Sequence, residues 1–182
     1  MKKFAILSLL AVELAVCGCA NNTPNQEIHT ITNATWEATL SGGLGQASLM
    51  NFTTTFQVED AGALDITAFG FFNSGACFGT NITDHDEAGT ATLNVNSLNQ
   101  VTGTLTYTIT SRINGNVLTL TSPSGDLTGM SNGAPGVLGT LSNGVAIGTW
   151  SLTSSDTSCI PNSPASGTFL MCQGATTCTP PQ

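Results

Sequence analysis

The sequence predicts an all-β domain in which short antiparallel strands follow one another as a meander. After residue 20, no segment keeps the helical spacing of apolar side chains. Short runs rich in Thr, Val, Ile, Leu and Phe instead alternate with clusters of Gly, Asn, Ser and Pro. Because the turns are closely spaced, strands that are neighbours in the sequence are expected to pair in space.

Nine runs have the composition of β-strands. They are residues 30–40, 51–58, 64–72, 90–95, 103–110, 117–121, 137–141, 145–152 and 167–171. Alternation is cleanest at 104–110, where Leu105, Tyr107 and Ile109 share one face and four threonines share the other. Threonine suits this position because its branched Cβ favours the strand and its hydroxyl can face water.

Three turn signals separate these runs. Asn114-Gly115 is the strongest hairpin signal, because both residues tolerate positive φ. Ser142-Asn143-Gly144 lies between two apolar runs and predicts a second hairpin. Ser124-Gly125-Asp126 follows Pro123, which is expected to end the preceding strand.

The sheet is expected to close on itself. Exposed edge strands are usually protected by lysine, other charges or proline, and most of the predicted strands carry no charge. Closure removes the edges, so we expect a closed or nearly closed up-and-down barrel of about 8–10 strands. A two-sheet sandwich is the alternative.

The N-terminus has the pattern of an export signal. Lys2 and Lys3 precede an apolar stretch from Phe4 to Val16, which is shorter than the about 20 residues that span a bilayer. The segment Val16-Cys17-Gly18-Cys19 resembles the lipobox of bacterial lipoproteins, and Leu14-Ala15-Val16-Cys17 is a weaker competing site. An ordinary cleaved secretory signal is the alternative.

The resemblance implies that residues 1–18 are removed and that Cys19 carries lipid. Residues 19–28 would then form a flexible tether, and residues 29–182 a single domain. Two or three acyl chains would make membrane attachment effectively permanent. Ala20 is not an acidic retention residue, so the outer membrane is the expected location in a Gram-negative source.

The charge balance excludes one class of function. The chain has a formal net charge of −8, and Arg112 is its only Lys or Arg after residue 3. Nucleic-acid binding requires a basic surface that neutralises phosphates, so we do not expect it here. Electrostatic binding of the domain to anionic lipid is excluded for the same reason.

Four cysteines follow Cys19, an even number that predicts disulfides in an exported chain. Three pairings can be written. We favour Cys77–Cys159 between two loops and Cys172–Cys178 at the C-terminal tail. A zinc site is the alternative, but Cys172 and Cys178 are too far apart for a Cys-x-x-Cys knuckle and no histidine lies near them.

Residues 35–40 resemble the first strand of lipocalin-like barrels, in which a tryptophan near the N-terminus closes the barrel floor. Trp36 occupies that position, although Ala34 replaces the family's usual glycine. The arginine that packs on this tryptophan in the family could only be Arg112. The whole chain also looks like uncharacterised Gly/Thr-rich envelope lipoproteins, a resemblance that implies no activity.

An acidic segment at 81–87 offers oxygen ligands. Asn81, Asp84, Asp86 and Glu87 could bind calcium, but the glycine-punctuated EF-hand pattern is absent and a solvated loop is the alternative. His85 and His29 are the only histidines, and no Gly-x-Ser-x-Gly motif accompanies them. We therefore expect no enzyme activity and no cofactor.

The aromatic side chains raise the question of a ligand. The candidates for core packing or for lining a cavity are Trp36, Phe69, Phe71, Phe72, Tyr107 and Trp150. In particular, the run from Phe69 to Phe72 should place apolar groups on both faces of its strand. Two functions follow: a barrel that binds a small apolar molecule or lipid, or a structural or protein-interaction module of the envelope.

Overall fold

A computed structural model describes residues 30–31, 34–42, 47–73, 77–79, 81–155, 159 and 165–174. Nine strands lie in these ranges: β1 (Thr30–Ile31), β2 (Trp36–Gly42), β3 (Phe52–Val58), β4 (Leu64–Phe71), β5 (His85–Val95), β6 (Gln100–Ser111), β7 (Val117–Ser131), β8 (Leu141–Thr153) and β9 (Ala165–Gln173). Two short 3₁₀ helices, Ala47–Met50 and Ile82–Asp84, lie in the loops before β3 and β5. No helix in the described ranges is long and apolar enough to cross a membrane.

The strands form an antiparallel meander that closes almost completely into a barrel. β1 and β2 both pair with β3 and share one position, so the nine strands occupy eight positions. β2 pairs with β9 from Trp36–Gln173 to Gly42–Gly167, which joins the first and last long strands. The predicted all-β, up-and-down barrel is therefore confirmed.

One seam interrupts the barrel, between β4 and β5. Within the described part of the chain, the bridge between Ala63 and Thr90 is the only pairing across it. β5 then continues the sheet by pairing with β6 along its whole length, from His85–Ser111 to Val95–Val101.

The two ends of the barrel differ. The terminus end carries Thr30, Gly174 and the loops after β3, β5 and β7. The disulfide end carries the loops after β2, β4, β6 and β8, together with a disulfide between Cys77 and Cys159. This bond is the one that the sequence favoured, and it ties the β4–β5 loop to the β8–β9 loop.

Two predicted turns were wrong, because both segments are bulges inside long strands. Residues 123–126 lie within β7, where the pairing with β6 jumps from Ser122 to Leu127 and Gly125 takes a φ of 93°. Asn143-Gly144 lies within β8, where one residue is inserted opposite β7. The predicted strand at 137–141 is mostly loop, and β8 begins only at Leu141. The predicted Asn114-Gly115 turn does connect β6 to β7, with a φ of 70° at Gly115.

The C-terminal part of the acidic segment, residues 85–87, is strand rather than loop. β5 begins at His85, five residues before the predicted strand at 90–95. His85, Asp86 and Glu87 therefore alternate across the sheet, and Asp86 faces away from the other two.

Candidate functional site

The barrel interior is filled by packed aromatic side chains. Trp36, Phe52, Tyr107 and Trp150 are all at most 1% exposed. Phe52 stacks on Tyr107 with ring centroids 5.4 Å apart, and Trp36 stacks on Phe56 at the same distance. These four side chains belong to the hydrophobic core, and they occupy space that a ligand inside the barrel would need.

Trp36 and Arg112 do not meet. Trp36 lies at the start of β2 toward the terminus end, whereas Arg112 lies at the disulfide end and pairs with Asp86. The tryptophan–arginine contact implied by the lipocalin-like resemblance is therefore absent. The indole of Trp36 instead packs against Gly144, where an added Cβ would lie 2.3 Å from the ring.

The side chain of Trp150 ties two strands of the barrel together. Its indole N–H donates to the carbonyl of Ser41, at 2.9 Å. Gly167 lies against the same ring and leaves room for it, because an added Cβ would lie 2.7 Å from the indole nitrogen.

A β-bulge in β4 decides where its phenylalanines point. Thr55 pairs with Ala68 but Phe56 pairs with Ile66, so Thr67 is an extra residue on β4. The insertion moves Phe69 to the inner face, where it packs on Phe52 with ring centroids 5.1 Å apart.

Phe71 and Phe72 lie in different environments. Phe71 follows Phe69 onto the inner face and stacks on Phe78 at 5.1 Å. Phe72 lies after the end of β4 and is 50% exposed, so it is not part of the core. The expectation of apolar groups on both faces of β4 was wrong, because the bulge changes the parity of the strand.

The four candidate calcium ligands do not converge. Asp84 accepts hydrogen bonds from the backbone and side-chain nitrogens of Asn81, which forms a capping box for the short helix that follows. Asp86 binds Arg112 on the outer surface, and Glu87 binds His85 on the inner side. Within the described residues no group of three or more His, Cys, Asp or Glu side chains could hold a metal ion. These residues therefore do not assemble a calcium site.

Asp86 on β5 and Arg112, the first residue after β6, form a bidentate ion pair. The Nε of Arg112 lies 2.6 Å from Oδ2 of Asp86, and its Nη2 donates to Oδ1. The hydrogen bonds and charge of Arg112 lower the pKa of Asp86, while Asp86 raises the pKa of Arg112. Both side chains are more than half exposed, so the ion pair contributes little to the stability of the fold.

His85 and Glu87 form a second pair at the opening of the seam. Nδ1 of His85 contacts Oε1 of Glu87, and the side chains are 5% and 14% exposed. The ring of His85 packs edge-on against Phe69 and Phe71, at 5.1 and 5.6 Å. On a strand, the residue two positions away shares the face, and this spacing could have identified Glu87.

The cysteines are partly described. Cys77 and Cys159 are both buried, and Asn116 donates from its side chain to the carbonyl of Cys77 at 2.7 Å. Cys172 is disulfide-bonded, and its partner lies outside the described residues. The predictions that involve Cys178, Cys19, the signal segment 1–18 and the tether 19–28 also lie outside them.

Apolar side chains are exposed at both ends. At the disulfide end they are Leu49, Phe72, Ile82 and Ile113, and at the terminus end Leu98, Met130 and Val137. The loops of the disulfide end are held together: the backbone N–H of Arg112 donates to the carbonyl of Asp84, and Asn114 donates to Cys77. The disulfide end therefore carries four exposed apolar side chains, and hydrogen bonds join its β4–β5 loop to its β6–β7 loop.

A shallow groove of about 350 Å³ lies on the outer face of β2, β9 and β8. Ile147 and Leu170 supply its apolar lining. Hydroxyls line its side, where Ser41 and Thr168 are 2.9 Å apart and Thr39 donates to the carbonyl of Leu170. These hydroxyls already bond each other and the backbone, so the groove offers few free groups to a polar ligand.

No known family, curated protein or solved structure is similar enough to this chain to count as a match.

Proposed function

We propose that this chain is a lipid-anchored protein of the bacterial cell envelope that acts as a protein-interaction module through the disulfide end of its barrel. The observation that carries the proposal is the filled interior. Trp36, Phe52, Tyr107 and Trp150 occupy the barrel, so binding is left to the outer surface. The lipobox-like segment ending at Cys19 supports export and anchoring.

The place where the chain enters the barrel supports the choice of the disulfide end as the interaction surface. β1 begins at Thr30, beside Val58, at the terminus end. A tether of residues 19–28 would therefore hold the terminus end toward the membrane and leave the disulfide end facing away. That end carries four of the exposed large apolar side chains, and Arg112 is its only Lys or Arg in the described ranges.

Site-specific photo-crosslinking in the native host tests the proposal. Benzoylphenylalanine at Ile82 and at Leu98 forms a matched pair, because the two side chains are 70% and 71% exposed at opposite ends. We expect a discrete protein adduct from Ile82 and none from Leu98. Equal adducts from both positions, or none from Ile82, would contradict the proposal.

Two further measurements separate the parts of the proposal. The Cys19→Ser variant should leave the membrane fraction, whereas wild-type protein should stay in it. Native mass spectrometry of detergent-solubilised full-length protein should show the lipidated chain alone. A stoichiometric apolar molecule that dissociates only on unfolding would instead favour the alternative, a barrel that binds a small molecule or lipid.

A further inference from the structure

Among the described residues, the open half of the β4–β5 seam has backbone groups on both sides that no neighbouring strand pairs. The N–H of Phe72 bonds the carbonyl of Asn51 in the direction of β3, so the backbone groups of Phe71 and Phe69 face the seam. On β5, the N–H of Ala91 bonds the carbonyl of Gly62 across the seam. Glu87 and His85 are separated from Ala91 by an even number of residues, so their backbone groups face the seam as well.

These two edges do not bond each other. Within the described residues, pairing across the seam stops at Ala63–Thr90, and β4 pairs only with β3. The rings of Phe69, Phe71 and His85 fill the inner side, so contacts between side chains take the place of a hydrogen-bonded ladder. No residue of β4 is fully buried, in contrast to β3, where every second residue is.

We propose that this seam binds an extended, positively charged peptide segment of the partner protein by strand addition. This inference rests on the proposed function, because it names the class of partner and the place where it binds. An extended backbone offers alternating donors and acceptors on both of its sides, so it can bond the exposed groups of either edge. Phe69, Phe71 and His85 form the apolar floor beneath the segment.

The charge of the partner follows from the residues around the seam. Asp84, Asp86 and Glu87 place three carboxylates at the open half of the seam, where β5 begins. Arg112, which pairs with Asp86, supplies one positive charge there. Arg112 is the only Lys or Arg in the described ranges, so the field at the seam is negative and favours a cationic segment.

The bulge limits the length of the pairing. Because Thr67 interrupts the regular spacing of β4, the partner can pair there only beyond Ala68, along Phe69–Phe71. Opposite this stretch, β5 begins at His85, whose ring contacts both Phe69 and Phe71. The segment that pairs is therefore short, about three residues, which is at the low end for a strand.

A pair of synthetic peptides tests strand addition directly. The probe alternates lysine and valine over seven residues, and its matched control has the same side chains with N-methyl groups on alternate residues. The methyl groups remove the N–H donors along one edge of the peptide and leave its charge unchanged. With full-length protein in detergent, we expect fluorescence anisotropy to show at least tenfold weaker binding of the control. Equal binding of the two peptides, or no binding of the probe, would overturn the inference.

Hydrogen exchange and a pair of variants complete the test. The probe should slow exchange at the amides of Glu87 and Phe71, and protection confined to other strands would refute the site. Asp86→Asn should weaken binding, because it removes a carboxylate beside the site and leaves the charge of Arg112 unpaired, whereas Asp126→Asn, an exposed carboxylate on β7, should not. If Ile82 crosslinks a protein partner but the two peptides bind equally, strand addition fails and the interaction function stands.

Discussion

The hydroxyl of Tyr107 on β6 lies 2.9 Å from the hydroxyl of Thr54 on β3, across the filled interior of the barrel. Thr54 uses its single hydrogen to bond the carbonyl of Ala68, at 3.1 Å, so Tyr107 is the donor in the first bond. Ala68 belongs to the bulge that turns Phe69 and Phe71 inward. A relay of two hydrogen bonds thus links β6 to the bulged strand at the seam.

Breaking this relay at Thr54 should cost more than breaking it at Tyr107. Tyr107→Phe removes one bond and leaves Thr54 bonded to Ala68, which we expect to cost about 1 kcal/mol. Thr54→Val leaves the buried hydroxyl of Tyr107 without a partner and should cost about 1 kcal/mol more. Urea denaturation of both variants measures the two costs. The double variant should be no less stable than Thr54→Val, and additive losses would contradict the relay.

Tyr107 should resist ionisation in the folded protein. Burial raises its pKa, the nearby charge of Glu87 adds to this, and the bond to Thr54 partly offsets both. Because the folded pKa exceeds the unfolded value of about 10, this contribution to stability is complete below pH 10 and is lost as the pH rises further.

The titration can be followed without labels, because Tyr107 is the only tyrosine in the chain. Tyrosinate absorbance should stay absent between about pH 10 and pH 11 and appear together with the loss of near-UV circular dichroism. In guanidinium the same group should titrate near pH 10. Ionisation near pH 10 with the fold intact would show that Tyr107 is accessible to solvent.

Gly144→Ala should be strongly destabilising. Its Cβ would lie 2.3 Å from the Trp36 ring and 3.1 Å from Oε1 of Gln173, so the core must move. We expect a loss of about 1–3 kcal/mol. Gly70→Ala on β4 is the matched control, because nothing lies within 4 Å of its added Cβ. Thermal melting of both variants measures the two losses. Similar shifts in melting temperature for Gly144→Ala and Gly70→Ala would argue against the close packing of Trp36.

Removal of the Cys77–Cys159 disulfide should destabilise the fold. The bond joins residues 82 positions apart, a loop for which chain-entropy estimates predict a loss of about 4 kcal/mol in the double serine variant. The same variant should release the β4–β5 loop and raise hydrogen exchange at Asn116, whose side chain bonds Cys77. Unchanged exchange there would mean that hydrogen bonds alone hold the loop.

Strand identity could be predicted from the sequence, but register could not. The alternation of Leu105, Tyr107 and Ile109 places them correctly on the inner face, since the period of two survives in a regular strand. Gly125 and Asn143-Gly144 carry the local signals of turns, yet their strands continue through them as bulges. Pairing on both sides decides between a turn and a bulge, and this information is not local.

The candidate site shows the same division. The sequence placed Asn81, Asp84, Asp86 and Glu87 in one acidic loop, whereas the early start of β5 sends Asp86 to one side and Glu87 to the other. Once β5 is known to begin at His85, the pairing of Glu87 with His85 can be predicted, because the two residues share a face of the strand. The inward turn of Phe69 could not, because it depends on an extra residue at Thr67 that only the pairing with β3 reveals.

The pairing of β2 with β9 has a consequence for how the chain acquires its shape. These strands lie more than 120 residues apart along the chain, as in the bond between Thr39 and Leu170, separated by 131 positions. Contacts of this range form slowly and late. Until the chain has been synthesised as far as β9, the edge of β2 that faces away from β3 therefore has no partner strand. An unpaired strand edge can pair with other chains, so this interval is the one in which the growing chain is most prone to aggregate.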